Sequence, residues 1–226
     1  MSASAAVVAS NVQDVGGIRI WDLPTRLAHW LLVSLVSFSW WSAAYHRMDY
    51  HRYSGYALLG VLVFRIYWGF FGSSTARFRE FVKGPRSIWR YLRSWASHRS
   101  TGHNPLGAWS VLLLLALLLS QVGLGLFCVD VDGIESGPLS SLVSFETGRA
   151  CAHLHHLGFD VLKVFIGLHV TAVACYALFK RENLVKPMVT GWKVWTREPL
   201  PQVHFASHWH ALLGIALAAG LVWWVS

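Results

Sequence analysis

The chain has 226 residues, of which 54% are hydrophobic and only 13% charged, and its mean hydropathy is +0.43. A soluble domain carries charge on about a quarter of its residues, so this composition argues against a water-soluble globule. The net charge of +8 follows from the placement of basic loops described below and does not call for nucleic acid as a partner.

Residues 1–10 are apolar but lack the basic start and the length of a cleaved signal peptide. Residues 1–17, ending in Gly16 and Gly17, are expected to form a flexible tail. Crossing a bilayer takes about 20 mostly apolar residues. Five stretches qualify in chain order: 29–45, 53–71, 106–127, 155–179 and 208–225. Between the second and third, residues 85–95 place Arg86, Arg90 and Arg93 opposite Ile88, Tyr91 and Leu92. That pattern predicts a short amphipathic helix at the inner headgroup layer. There is no internal repeat. The expected organisation is an all-α membrane protein: a transmembrane domain over 18–193, then a linker and fifth transmembrane helix over 194–226.

Basic residues set the orientation. Arg77, Arg79, Lys83, Arg86, Arg90, Arg93 and Arg99 follow the second span against a lone Glu80. Lys180, Arg181, Lys186, Lys193 and Arg197 follow the fourth, against Glu182 and Glu198. The segment after the third span instead carries Asp130, Asp132, Glu135 and Glu146 with only Arg149. The positive-inside rule then puts the N-terminus in the cytoplasm and, with five spans, the C-terminus outside.

Twelve histidines are many for such a chain, and ionisable residues in apolar spans tend to be functional. His155 and His169 are fourteen residues apart on the fourth span. On an α-helix they fall within about 40° of one face and about 21 Å apart along the axis. His156 is rotated about 140° from His169 and does not share that face. His29 lies at the inner end of the first span and His51 at the outer end, just ahead of the second. Depth therefore pairs His29 with His169 and His51 with His155. Two such pairs can hold planar macrocycles between helices of a bundle. Haem iron with two axial imidazoles has no open site and suits electron transfer. Zinc wants three or four ligands in one small tetrahedron, which two pairs a membrane apart do not supply. Scattered structural histidines are the remaining alternative.

Residues 20–30 (IWDLPTRLAHW), 51–56 (HRYSGY), 64–69 (FRIYWG), 102–107 (GHNPLG) and 183–193 (NLVKPMVTGWK) carry a family resemblance. In this order and spacing they resemble the bacterial cytochrome b561 family, which includes the b-type cytochrome subunits of nickel-iron hydrogenases. The resemblance implies a four-helix diheme core, here with a fifth C-terminal helix, in a bacterial inner membrane. It also implies two haem b groups on His29, His51, His155 and His169. The implied role is electron transfer between the quinone pool and a periplasmic partner, either a c-type cytochrome or a hydrogenase-like enzyme. Free-standing quinol or superoxide oxidoreduction, and a haem-containing membrane anchor for an enzyme complex, are the alternatives. A quinone, membrane lipid and a second copy of the chain are compatible partners.

Several polar residues remain. Arg65 could neutralise haem propionates or snorkel to the inner surface, and Arg52 and Arg149 are propionate candidates near the outer pair on charge grounds. Asp160 and Lys163, three apart, are expected to pair within the helix. His153 and His156 are candidates for lining a quinone or partner site. Cys128 and Cys151 bracket the acidic loop, where either a disulfide or two thiols is open. The chain lacks Cys-x-x-Cys-His, so covalent c-type attachment is not expected. The fifth span reads as a lipid-facing brace, a docking surface or part of a quinone pocket. His204, His208 and His210 near its inner end are expected to be interfacial.

Overall fold

The computed structural model describes residues 17–93, 102–132, 134–195 and 201–226. The expected tail therefore lies, except for Gly17, outside the described residues. Five helices are long and apolar enough to cross a membrane: α1 (Leu23–Ala44), α2 (Met48–Phe71), α5 (Pro105–Leu126), α6 (Phe145–Phe179) and α8 (His208–Val225). Shorter pieces join them: α3 (Phe78–Phe81), α4 (Pro85–Arg93), α7 (Val185–Thr190) and the strands β1 (Gly17–Arg19) and β2 (Trp192–Val194).

Helices α1, α5 and α6 begin where capping residues sit, which is earlier than the apolar runs alone indicate. Asp22 accepts from the Thr25 N–H at 2.8 Å and Pro24 occupies the first turn of α1. Asn104 accepts from Gly107 at 2.8 Å ahead of Pro105, and Ser144 accepts from Thr147 at 3.2 Å at the start of α6. These side chains satisfy amide donors that a helix N-terminus leaves orphaned. As a result α6 starts ten residues before His155. It rises over about 50 Å, well beyond the roughly 30 Å hydrocarbon layer. α2 likewise starts before His51, which lies in its first turn.

Helix α2 is the centre of the bundle. Its Leu58, Leu59 and Leu62 are buried with Leu115, Leu118 and Val122 of α5, Leu162 of α6 and Val225 of α8. α1 returns to α2 through a tight turn in which His46 has φ 54° and Arg47 N–H donates to Ser42 O at 2.8 Å. α6 packs on α5, and α8 lies along α2, where Phe64 and Tyr67 flank Gly214. Outward-facing apolar side chains such as Trp40, Leu178, Leu212 and Trp223 remain exposed, as a lipid solvent requires.

At the end where α1 begins, the chain builds a collar that hydrophobic periodicity does not announce. β1 pairs antiparallel with β2, Gly17 opposite Val194. Gly191, at φ 87°, turns its carbonyl to accept from Ile20 N–H at 2.9 Å and Trp21 N–H at 3.2 Å. Trp30 Nε1 donates to Met188 O at 3.1 Å, and Arg26 donates to Val189 O. Lys193 and Glu182 form a mostly buried ion pair at 2.7 Å. The amphipathic segment forms α4, although Trp95 lies outside the described residues. Its Tyr91 is 2% exposed, and its hydroxyl hydrogen-bonds to Tyr176 of α6. α4 is therefore anchored to the bundle as well as suited to a membrane surface.

Candidate functional site

At the end where α1 gives way to α2, called outer because the basic loops lead to that expectation, His51 of α2 faces His155 of α6, with ring centroids 6.0 Å apart and planes at 87°. They border a cavity of about 580 Å³ that Arg52, Arg149, His156 and Lys163 also line. The two rings are held in the same way. His51 Nδ1 lies 3.0 Å from Ser39 O, and His155 Nδ1 lies 2.9 Å from Gln121 O. A carbonyl oxygen only accepts, so each Nδ1 carries the proton and donates, which leaves the Nε2 lone pair free. That is the arrangement by which histidine ligands are oriented for a metal. With metal–nitrogen bonds of about 2 Å, two imidazoles on opposite sides of one ion have centroids about 6 Å apart. The outer pair thus fits a bis-imidazole macrocycle in spacing, tautomer and surrounding volume.

The support for this pair comes partly from residues that spacing arguments did not single out. Ser39 also places its hydroxyl 3.1 Å from His51 Nδ1. Gln121 Nε2 donates to His155 O at 2.8 Å, so α5 and α6 are bridged reciprocally at His155. The available signal was a polar pair, Ser120 and Gln121, inside an otherwise apolar span, where interhelical hydrogen bonds are the usual use of such side chains.

At the opposite, inner end, His29 of α1 lies within electrostatic reach of His169 of α6 and of Arg65. No carbonyl orients His29, whose Nδ1 is sealed without a partner among the described residues. Arg65 is buried at 6% exposed and does not snorkel. Its guanidinium stands 5.4 Å from the centre of the Phe78 ring. Phe78 reaches that position because Gly69 carries no Cβ, which would lie 2.1 Å from the ring. Asp22 ties this end together. One carboxylate oxygen caps α1, and the other accepts from Trp68 Nε1 at 2.9 Å, fixing α1 against the inner end of α2.

His103, in the turn before α5, joins this inner group. Its ring packs edge-on to Trp21 at 4.8 Å and against Phe81 at 4.5 Å. Burial first, then Arg65, His29 and His169, holds its imidazole down to about 3, so it is neutral at physiological pH. It lies outside the spans, where an excess of intramembrane histidine does not point to it.

The other expected residues fall as follows. Asp160 and Lys163 pair within α6 at 2.9 Å. His153, His204, His208 and His210 are exposed, and His156 stands beside His155 with ring centroids 6.3 Å apart. Cys128 and Cys151 are free thiols. Among the described residues no three or more His, Cys, Asp or Glu side chains form a metal-holding group, so the donors converge as histidine pairs.

Residues 20–191 match the family model described as prokaryotic cytochrome b561. The chain is similar to proteins described as probable Ni/Fe-hydrogenase B-type cytochrome subunits. The one from Azotobacter chroococcum mcd 1 is 25% identical over 81% of this chain and 91% of its own length. That from Azotobacter vinelandii is also 25% identical with the same coverage, and that from Rhizobium leguminosarum bv. viciae is 23% identical over 77% of this chain and 87% of its own. No solved structure matches it. With five membrane-spanning helices and a family match over most of its length, the chain belongs to the prokaryotic cytochrome b561 family, as a multi-pass membrane b-type cytochrome that carries haem b and transfers electrons.

Proposed function

We propose that this chain is the diheme membrane subunit that carries electrons between a periplasmic hydrogenase-like partner and the quinone pool. The observation that carries it is the outer pair, His51 and His155, facing at 6.0 Å with both Nδ1 atoms engaged by carbonyls. His29 and His169 would hold the iron of the second, inner haem. Arg52 and Arg149, which line the outer cavity, face the propionates of the outer group, and Arg65 those of the inner. Bound haem b supplies a one-electron iron couple, and two such groups at different depths span the bilayer stepwise. Two electrons from hydrogen oxidation at the partner, with two protons from water, reduce one quinone to quinol. The hydrogenase class of partner is favoured over a c-type cytochrome by the descriptions of the relatives.

Haem quantification and reduced-minus-oxidised spectra of single variants test this. His51→Ala or His155→Ala is expected to remove one haem and keep the other, and His29→Ala or His169→Ala to do the converse. Two haems retained in His155→Ala would sink the outer assignment. In membranes, hydrogen gas is expected to reduce both haems only when the partner is present. Haems that hydrogen leaves oxidised in membranes holding an active hydrogenase argue for the free-standing quinol reading instead.

A further inference from the structure

His103 has no task in the reading above, yet it is placed as if it had one. Its Nδ1 is sealed from solvent and has no hydrogen-bond partner among the described residues, and the same is true of Arg65 Nη1. Both belong to one cluster, because Arg65, His29 and His169 all lie within electrostatic reach of His103. Buried donors left unmade are costly, and a buried guanidinium needs an opposing charge. Asp22 is the carboxylate within reach of Arg65. Both of its oxygens already accept, from Thr25 N–H and Trp68 Nε1. Two buried nitrogens without partners, one of them cationic, therefore lie in one cluster beside the inner histidine pair, linked by the Phe78 and Phe81 rings 5.9 Å apart. With its proton on Nδ1, His103 is a donor there. Asp22 opposes the charge of Arg65 from within electrostatic reach but makes no hydrogen bond to it. A second carboxylate would add to that charge and accept from both nitrogens, whereas an uncharged carbonyl ligand would add no charge. Trp21 and Phe81 cover the His103 ring and Phe78 covers Arg65, which closes the site to a lipid headgroup.

We propose that His103 is a haem-binding residue: together with Arg65 it donates to a propionate carboxylate of the inner haem. This rests on the two-haem reading and goes beyond it, because it adds a ligand-contacting residue from the turn before α5, an element that supplies no axial histidine. In this arrangement His103 contributes a hydrogen bond and Arg65 supplies the permanent charge. Losing the donor leaves more negative charge uncompensated near the inner iron, which favours the oxidised state and lowers its midpoint potential.

The test uses the purified full-length cytochrome with its native haems, the inner one identified from the single-haem variants above. Redox titration and the resonance Raman propionate-bending band are recorded for wild type, His103→Ala and His103→Gln. Expected is a fall in the inner midpoint potential and a shifted propionate band in His103→Ala. Both should return toward wild type in His103→Gln, whose amide restores a donor, and the outer haem should not move. Loss of the inner haem in the alanine variant with retention in the glutamine variant would support the same role. An inner potential and propionate band unchanged in His103→Ala, a glutamine variant no different from alanine, or equal shifts of both haems would overturn it. In each of those cases a wild type with two haems leaves the parent reading intact. A wild type with one haem per chain overturns the two-haem reading and this proposal with it.

Discussion

Cys128 follows α5 by two residues, and its thiol donates to Leu124 O at 3.3 Å. Burial first, with Cys151 next, pushes this thiol up to about 11. A raised thiol keeps its proton, so the nucleophilic thiolate is scarce at neutral pH and accumulates only as pH climbs toward that value. Against an ordinary thiol of pKa 9.0, the thiolate fraction near pH 8 falls by about 100-fold. In the wild-type chain, with labelling of Cys128 followed by peptide mass spectrometry, this thiol is therefore expected to react with a maleimide about 100-fold more slowly than a free thiol at pH 8. The rate should rise about tenfold per pH unit toward pH 11. Labelling at the rate of a solvent-exposed thiol would show that the acidic loop does not cover this residue as the structure places it. Residues at the outer site are held in two different ways. His51 and His155 are held by backbone acceptors that no side-chain substitution removes, whereas Cys128 depends on the loop staying closed.

Among the elements, the collar at the inner end is the most exposed to single substitutions. Gly191 adopts φ 87°, and a Cβ there would lie 2.9 Å from Trp21 O. Left-handed backbone costs a residue with a Cβ about 1–2 kcal/mol, and the close approach adds to that. Gly191→Ala is expected to lower thermal stability by at least this much. The collar grips α1 through Trp30 and Arg26, so the inner haem should be lost on heating before the outer. An unchanged melting temperature with both haems released together would show that the collar bears no load. Little of this element was legible beforehand. Apolar runs identify spans because lipid demands them, and all five appeared, α8 with the expected ends and α1 and α6 starting earlier at the caps Asp22 and Ser144. β1 and β2 are three residues each and pair across 173 positions or more (Gly17 with Val194 at 177, Arg19 with Trp192 at 173), a distance at which local pattern has no purchase. Helical spacing likewise singles out His155 and His169 as candidates on one face of α6. Gln121, Ser39 and His103 support the sites through contacts that exist only once α5, α1 and the α5 approach are packed.

At the scale of the whole molecule, the contacts sort the connections into two ends. β1, β2, α7, α4 and the turns before α5 and α8 meet one another: Trp109 Nε1 donates to Lys83 O at 2.9 Å, Ser74 N–H donates to His204 O at 2.9 Å, and Asn104 Nδ2 donates to Tyr176 at 2.7 Å. The α1–α2 turn and the acidic loop before α6 lie together at the other end, around the outer cavity, which His46, Asp130 and Glu135 all line. The first end gathers the cationic connections, including Arg77, Arg79, Arg86 and Arg90, and the second the carboxylates. Basic flanks are retained on the cytoplasmic side during insertion, so the collar end is expected to face the cytoplasm. Five crossings then leave the two termini on opposite sides. A reporter active only in the periplasm should work when fused after residue 226 or placed in the loop at residue 132, and fail when placed at residue 84. A cytoplasm-specific reporter should give the reverse. Activity of the periplasmic reporter at residue 84 would invert the molecule. It would put the Arg65 and His103 end, rather than the His51 and His155 pair, nearest a periplasmic electron partner, and the proposed direction of hydrogen-derived electrons across the bilayer would fall with it.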